Sequence, residues 1–497
     1  MSRTLRELVA KLPEAQWLSR QDKNPDILAL VHDSRKVEPG TLFVCMKGAT
    51  VDGHSFAAAA VAKGAVAVLA EQETTGVDTV PVIRTPDVRQ AVERIAAWFY
   101  GDPSAKLRLI GVTGTNGKTT TTHIIRSIFN RADRPCGVSG TLHTLIGDRV
   151  VPVKNTTPDV LDLQSALRDM VDGGMRAVAM EVSSHALALG RVAGCEYDTA
   201  VFTNITQDHL DFHQTMENYR DAKSLLFRQL AADGSQKTNK SAIANIDDPA
   251  GEYMLAQTKA RRIGYGMSEK ADLRAVDIDL RPEGASFRVT GQWGEFAVQS
   301  RLTGLFNVYN MLAAIGVACA EGIDIPVIQA ALAEFEQVPG RFERVEIPRP
   351  FSVIVDYAHT PDGLENVLKT AKQFVQGQLI VVFGCGGDRD RTKRPIMGEL
   401  ATRYADRAIV TSDNPRSEDP AFIIGQIMAG ITTPEARRKT TTEPDRRTAI
   451  RQALALGRPG DVILIAGKGH ENYQILADRT IHFDDREVVR ELAGGES

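Results

Sequence analysis

LIGVTGTNGKTTTTHII, residues 109–125, runs an apolar strand pattern into a glycine-rich loop that opens directly into a helical pattern. Glycines let backbone N–H groups turn inward on phosphate oxygens, and the helix N-terminus that follows adds a favourable dipole. Lys118 is placed to bridge the β- and γ-phosphates of a nucleotide, and the Thr119 hydroxyl to ligate Mg²⁺. The strict G-x-x-x-x-G-K-[ST] spacing fails, because its first glycine falls on Val112, with Gly111 and Gly114 on either side. A fortuitous glycine-rich turn is the competing reading; strand, loop, Gly-Lys-Thr and helix in succession argue against it. Gly114, Thr115, Asn116, Gly117, Lys118, Thr119 and Thr120 are therefore the candidate phosphate cradle.

Around that loop the chain divides into three segments. Residues 104–338 alternate apolar runs (RAVAMEVSS, YDTAVFTNI, SAIANIDD) with helical patterns, which predicts βαβ units around a buried parallel sheet, and ASFRVTGQWGEFAVQSRL reads as an added hairpin. From 339 to 497 the alternation returns in FSVIVDYAH, QLIVVFGCGG, RAIVTSDNP and DVILIAGKGH. Each run delivers polar or glycine residues at its C-terminal end, the edge where open α/β sheets bind ligands. Residues 1–103 carry shorter strand-like runs, and the first twenty residues read as an amphipathic helix. The expected fold class is α/β with three domains: a smaller N-terminal α/β domain, a central P-loop-type parallel-sheet domain and a C-terminal Rossmann-like domain.

Bulk properties narrow the function. The 497 residues are 43% apolar and 25% charged with net charge −4, which suits a folded chain and gives nucleic-acid binding no global electrostatic support. Five scattered cysteines without C-x-x-C spacing fit a reducing compartment better than a disulfide framework or a zinc site. No apolar run approaches the ~20 residues of a membrane helix. A cytoplasmic protein is expected.

Two further clusters sit beyond strand ends. Glu181, closing RAVAME, stands where a P-loop protein puts its metal-holding acid, and Ser183, Ser184 and His185 follow it. Asp208, His209, Asp211 and His213 crowd the loop after YDTAVFTNI, and Tyr219 and Lys223 fall on one face of the next helix. The histidine spacing matches no zinc motif. Capping and ordinary loop chemistry would account for most of these residues; position alone singles out His209.

Taken in order, TGTNGKTT, NTTPD, MEVSSHAL, the pattern Asn204–Asp211, YRDAKSLLF, LTGLFNVYNMLAA, DYAHTPD, FGCGGDRDRTKRP, DNPR and AGKGHE resemble the ATP-dependent Mur ligases over essentially the whole chain. The resemblance implies a cytoplasmic ligase that extends the peptide stem of peptidoglycan precursors. ATP phosphorylates a substrate carboxylate, an incoming amine attacks the acyl phosphate, and phosphate leaves. It implies one Mg²⁺ held by Thr119 and Glu181 and a second served by Glu181, His209 and Lys223, the lysine carbamylated (N6-carboxylysine), and catalytic roles for Lys118, Glu181, His209 and Lys223. Asn307, Asn310, Arg341, Asp356 and His359 would serve ATP alongside the loop. Ser34, Asn155, Thr156, Thr157, Ser183 and Arg191 would bind UDP-N-acetylmuramoyl-L-alanyl-D-glutamate. Leu189 and His32 stand where some relatives carry glutamine and leucine, so neither of those contacts is carried over. A monomer is expected, with no nucleic acid and no membrane among its partners.

Within the resembled family DNPR marks members taking meso-2,6-diaminopimelate, whereas lysine-adding members carry a different tetrapeptide. The chemistry agrees: diaminopimelate is lysine with a second carboxylate, which a guanidinium fork fits bidentately. Arg389, Asp413, Asn414, Pro415, Arg416, Gly467 and Glu471 are expected to form that pocket, with Asp413 and Asn414 accepting from the distal ammonium. A lysine-adding Mur ligase and a folylpolyglutamate-synthetase-like amide ligase are the alternatives, and a P-loop motor or switch the rival from another class.

Overall fold

Apolar, β-branched runs ending in polar or glycine turns build the middle of the chain into a sheet buried on both faces. The structure is a computed structural model describing residues 2–20, 22–48, 51–231 and 237–494. Six of its central strands lie in the order Cys136–Ser139, Ala177–Glu181, Arg108–Thr113, Thr199–Phe202, Ser241–Asn245 and Arg261–Gly266, all parallel. The chain leaves Arg108–Thr113 toward one side and later continues on the other. A topological switch point therefore opens at Thr113, where the glycine loop begins.

Antiparallel strands flank this core on both edges. The hairpin expected at 285–302 is present as Gly284–Gly291 and Gly294–Ser300, paired onto Leu273–Arg281. A second hairpin, Thr144–Ile146 with Arg149–Val151, extends the opposite edge. Helices Lys118–Arg131 and Leu305–Ala320 cover one face through Ile124, Ile128, Met311 and Ile315, packed on Ile110, Val112 and Ile243. Being sandwiched between sheet and helix, Leu305–Ala320 is apolar nearly all round.

The N-terminal sheet has five strands in the order Gln16–Ser19, Val82–Arg84, Ala65–Ala70, Thr41–Val44 and Ala29–Val31, antiparallel only at the first pair. The amphipathic helix read over the first twenty residues is corrected. A five-residue helix, Leu5–Val9, is closed by a Thr4/Glu7 capping box, and the chain then turns at Pro13 into strand Gln16–Ser19. Proline cannot supply the N–H that a continuing helix needs.

The C-terminal sheet orders Glu343–Val345, Ser352–Asp356, Val462–Ala466, Leu379–Phe383, Arg407–Val410 and Thr440–Thr442, parallel except for the first strand. Its C-terminal edge gathers DYAH, GCGGDRD, SDNPR and AGKGHE. Behind them lies a fully buried ion pair. Arg446 donates to both Asp485 oxygens at 2.7 Å, to Ser412 O at 3.2 Å and to Ala466 O at 3.1 Å. One guanidinium thus ties together two strand ends that carry site loops.

Removing only the cation would leave Asp485 buried and unpaired. Arg446→Met should cost about 3–5 kcal/mol in denaturant unfolding, and Arg446→Met with Asp485→Leu should recover most of that loss.

Candidate functional site

The loop after Thr113 is shaped by two glycines with positive φ, 152° at Gly114 and 86° at Gly117. A β-carbon on Gly114 would overlap Thr203 Oγ1, and one on Gly117 would overlap Asn310 Oδ1, so neighbouring elements approach closer than any side chain allows. Gly117 caps helix Lys118–Arg131 without a side-chain acceptor, leaving the first turn's N–H groups for an anion. Thr119 and Thr120 are buried at its start. Asn116 N donates to Asn204 Oδ1 at 2.9 Å, and Thr115 Oγ1 lies 3.1 Å from the Tyr219 hydroxyl.

Two ammonium groups converge on this loop. Lys118 Nζ donates to Gly114 O at 2.9 Å and Thr115 O at 2.8 Å, and Lys223 Nζ, on helix Met216–Leu230, donates to Gly114 O at 2.8 Å. Burial pushes the Lys118 pKa down, and burial together with the Lys118 charge pushes that of Lys223 well down. Neither makes an ion pair within 4 Å among the described residues, and the charges of Glu181 and Asp208 offset that push only in part.

Glu181 is buried opposite. Its carboxylate accepts from Thr141 N at 2.8 Å and Thr141 Oγ1 at 3.0 Å, while Thr157 Oγ1 donates to its backbone oxygen at 2.8 Å. Thr156 lies 3.1 Å from Thr141 Oγ1, and Ser183 N donates to Thr157 Oγ1 at 3.1 Å, so Thr156, Thr157, Ser183 and Glu181 form one network. His209, half-exposed with φ 54°, begins the short helix Leu210–His213 and lies 3.4 Å from Asp208. Its ring meets His185 edge-on at 4.7 Å, and burial lowers its pKa. His213 is held to about 4, again by burial, and lies 2.9 Å from Ser184 Oγ.

Among the described residues no three His, Cys, Asp or Glu side chains gather into a metal cage. What the loop offers is one hydroxyl, one carboxylate and one imidazole. That sparse oxygen-and-nitrogen set fits Mg²⁺ better than a resident transition metal, since Mg²⁺ keeps waters and shares its shell with nucleotide phosphates.

Asn307 and Asn310 are buried behind the loop and bond to one another at 3.1 Å; Asn310 Oδ1 also accepts from Thr121 at 3.4 Å. From the C-terminal domain, Arg341 lies over the Tyr357 ring and its charge reaches Lys118. Asp356 accepts from Phe342 N at 2.6 Å and Ala358 N at 2.7 Å, and burial raises its pKa to about 6. His359 is exposed, its Nδ1 2.9 Å from Tyr357 O. The cleft is crossed by Asp362, which accepts from Asn116 Nδ2 at 2.9 Å and Thr206 Oγ1 at 2.8 Å.

Toward the N-terminal domain, Arg191 pairs with Asp159 at 2.9 Å, and Asp159 lies 3.9 Å from His32. Lys154 reaches Asp33 at 3.3 Å beside the exposed Asn155. Ser34 opens the short helix Ser34–Lys36, and its carbonyl accepts from Lys63 at 3.1 Å. Leu189 closes helix Ser184–Ala188.

The last pocket lies at the far sheet edge. Arg416, half-buried with φ 54°, donates to Gly387 O at 2.8 Å and has no carboxylate partner among the described residues. Pro415 is buried, and Arg389 lies exposed at the rim, donating to Asp388 O at 3.0 Å. Ser417 bonds Asp388, and Glu418 accepts from Asp388 N and from Arg394, which staples the Arg416 turn to the Arg389 loop. Gly467, with φ 119°, brings its backbone against Asp413, where a β-carbon would meet Oδ2 at 2.5 Å.

One expectation changes here. Asn414 Oδ1 already accepts from Lys468 Nζ at 3.2 Å and Ile475 N at 3.0 Å, while its Nδ2 donates to Glu471 at 2.8 Å. Both lone pairs are used, so Asn414 Oδ1 has none left for an ammonium; the carboxylates of Asp413 and Glu471 stand beside it. Sequence reasoning also passed over Asp362 and Lys468. Both lie inside quoted motifs, DYAHTPD and AGKGHE, but only the fold turns them inward.

Comparison with known proteins matches three family models along the chain: Mur ligase family, catalytic domain, at residues 26–100; Mur ligase middle domain at 112–318; and Mur ligase, glutamate ligase domain, at 340–469. A Geobacillus thermodenitrificans protein named UDP-N-acetylmuramoyl-L-alanyl-D-glutamate–2,6-diaminopimelate ligase is 53% identical over 486 residues, 98% of each chain. A Geobacillus kaustophilus protein of the same name is 54% identical over 467 residues, 94% of this chain and 95% of its own. A solved structure under that name superposes with TM-score 0.68 at 36% identity, covering 100% of this chain and 99% of the other.

Because Lys118 is a half-buried cation without an ion pair, Lys118→Met should abolish the thermal stabilisation given by ATP while leaving the apo midpoint no lower than that of the unsubstituted protein. A large drop in the apo midpoint would contradict the unpaired state of Lys118.

Proposed function

This chain belongs to the Mur ligase family, and we propose that within it the protein joins meso-2,6-diaminopimelate to the γ-carboxyl of D-glutamate in UDP-N-acetylmuramoyl-L-alanyl-D-glutamate. The reaction is ATP-dependent amide formation in peptidoglycan precursor synthesis. The observation that carries the choice of amine is Arg416, a half-buried guanidinium bonded to backbone carbonyls and lacking a carboxylate. The relatives near 50% identity bear the name of the diaminopimelate enzyme, which disfavours the lysine-adding and folylpolyglutamate-type alternatives.

The γ-phosphoryl group of ATP passes to the D-glutamate carboxylate, giving an acyl phosphate and ADP. The amine of diaminopimelate attacks the carbonyl, loses a proton, and expels inorganic phosphate as the amide forms. Two anions must first be brought together, so neutralisation and positioning dominate the catalytic work. Lys118 and the N–H groups of the glycine loop bind the triphosphate; Arg341 approaches it from across the cleft, with Asn307, Asn310, Asp356 and His359 around the nucleoside end. Ser34, Asn155, Thr156, Thr157, Ser183 and Arg191 bind the nucleotide-sugar dipeptide. Arg191 exchanges Asp159 for a substrate anion in doing so.

Thr119, Glu181 and His209 would hold Mg²⁺, which supplies charge neutralisation and alignment of the phosphates when bound. Lys223 reacts with CO₂ as the neutral amine, forming an N–C bond and losing a proton, so that an anion replaces a buried cation. Its confinement against one carbonyl supports this reading. Arg416 and Arg389 take the distal carboxylate of diaminopimelate, and Asp413 and Glu471 its ammonium. We read the enzyme as a monomer, and no helix among the described residues is long and apolar enough to cross a membrane. We place the enzyme in the cytoplasm.

Phosphate release from ATP should require both the dipeptide nucleotide and diaminopimelate; release indifferent to the amine would exclude the ligase. Arg416→Lys should raise KM for diaminopimelate at least ~10-fold while leaving KM for ATP unchanged, since the lost bidentate contact is worth about 1.5–3 kcal/mol. With ¹³C-bicarbonate, a carbamate resonance should be present in the intact enzyme and missing from Lys223→Ala, whose activity small carboxylates should partly restore.

A further inference from the structure

We propose that Lys468 is a specificity-determining positioning residue: its buried ammonium balances the charge of the amino-acid pocket so that a zwitterionic distal end is preferred to a bare ammonium. This role presupposes the diaminopimelate reading above. Lys468 is fully buried, and its Nζ lies 3.2 Å from Glu471 Oε2 and 3.2 Å from Asn414 Oδ1, with the Tyr473 ring at 5.4 Å. No other residue supplies Glu471 with an ion-pair partner among the described residues.

The formal charges of the pocket then fall into place. Asp413 and Glu471 are its two inner carboxylates; Lys468 and Arg416 are its two inner cations. Behind them Arg446 is matched by Asp485, and Arg389 stands exposed at the rim, bonded only to the Asp388 backbone carbonyl, where solvent screens its charge. The distal end of diaminopimelate carries one ammonium and one carboxylate and is neutral overall. Lysine ends in a lone ammonium, and a neutral pocket gives it no net attraction, while its missing carboxylate leaves Arg416 unpaired. Without Lys468 the same pocket carries an excess negative charge and draws in a cation. Arg416 rewards the right substrate; Lys468 withdraws the reward for the wrong one.

Lys468 acts through two neighbours. It shares one oxygen of Glu471 with the Asn414 amide, which orients that carboxylate and offsets its charge. By binding Asn414 Oδ1 it also fixes the amide so that Nδ2 faces Glu471 and the second Nδ2 hydrogen remains for a substrate oxygen. Both effects need an ammonium at this point, held without exposure to water, where the low dielectric keeps its field strong.

The test is a competition among full-length variants given ATP, Mg²⁺, the dipeptide nucleotide and equal meso-diaminopimelate and L-lysine, with product masses read out. Lys468→Met should raise the lysine share relative to diaminopimelate by ~10-fold or more, with KM for ATP unchanged, because an unbalanced charge in an enclosed site is worth that much or more. Lys468→Met with Glu471→Gln restores neutrality and should bring the ratio back toward that of the unsubstituted enzyme, a reversal that simple loss of packing would not give. Lys468→Gln keeps hydrogen bonding without charge and should shift the ratio in the same direction as Lys468→Met; it carries the test should the methionine variant fail to fold. An unchanged ratio in whichever single variant folds, or a double variant as permissive as the single one, overturns the proposal. If the unsubstituted enzyme makes no diaminopimelate product, it is the function proposed above that fails.

Discussion

Two lysine ammonium groups are pressed against one peptide oxygen, Gly114 O, and neither makes an ion pair among the described residues. Such an arrangement costs stability, and the chain maintains it by over-determining everything around it. Gly114 and Gly117 remove side-chain bulk where Thr203 and Asn310 press in. Asn204 and Tyr219 hold the loop from one side, and the Asn307–Asn310 pair braces it from behind. The site is a preformed concentration of positive charge on a braced loop.

The same logic of uncompensated charge recurs at a distance. Arg416 is kept from bulk solvent by a turn with positive φ and by the cross-tie to the Arg389 loop, yet meets only carbonyl oxygens. Elsewhere in that domain the buried guanidinium groups are paired, Arg446 with Asp485 and Arg394 with Glu418, and there they fix the scaffold. Asp362 ties the C-terminal domain to the central one: its carboxylate takes hydrogen bonds from Asn116 of the glycine loop and from Thr206.

Much of this was legible in the chain. The phosphate loop, the strand-end glutamate and the tetrapeptide DNPR announce themselves because their chemistry is local: a glycine turn, an apolar run with an acid at its end, an arginine after a stiff Asn-Pro. The three α/β sheets follow from apolar periodicity. The first helix was misjudged because an amphipathic pattern continues past Pro13, while the backbone cannot. Asn414 was given the wrong chemistry because its acceptor is consumed by Ile475 N and Lys468, partners 61 and 54 residues away.

Sequence by itself determined which chemistries the protein carries, since residue type fixes charge, donor count and backbone freedom wherever a residue ends up. Tertiary structure alone decided which charges cancel. Lys468 faces Glu471, while Lys118 and Lys223 face each other's field. The difference lies in which strand ends the topology brings together, because Coulomb energy depends on distance through space and on burial, and neither quantity is written along the chain.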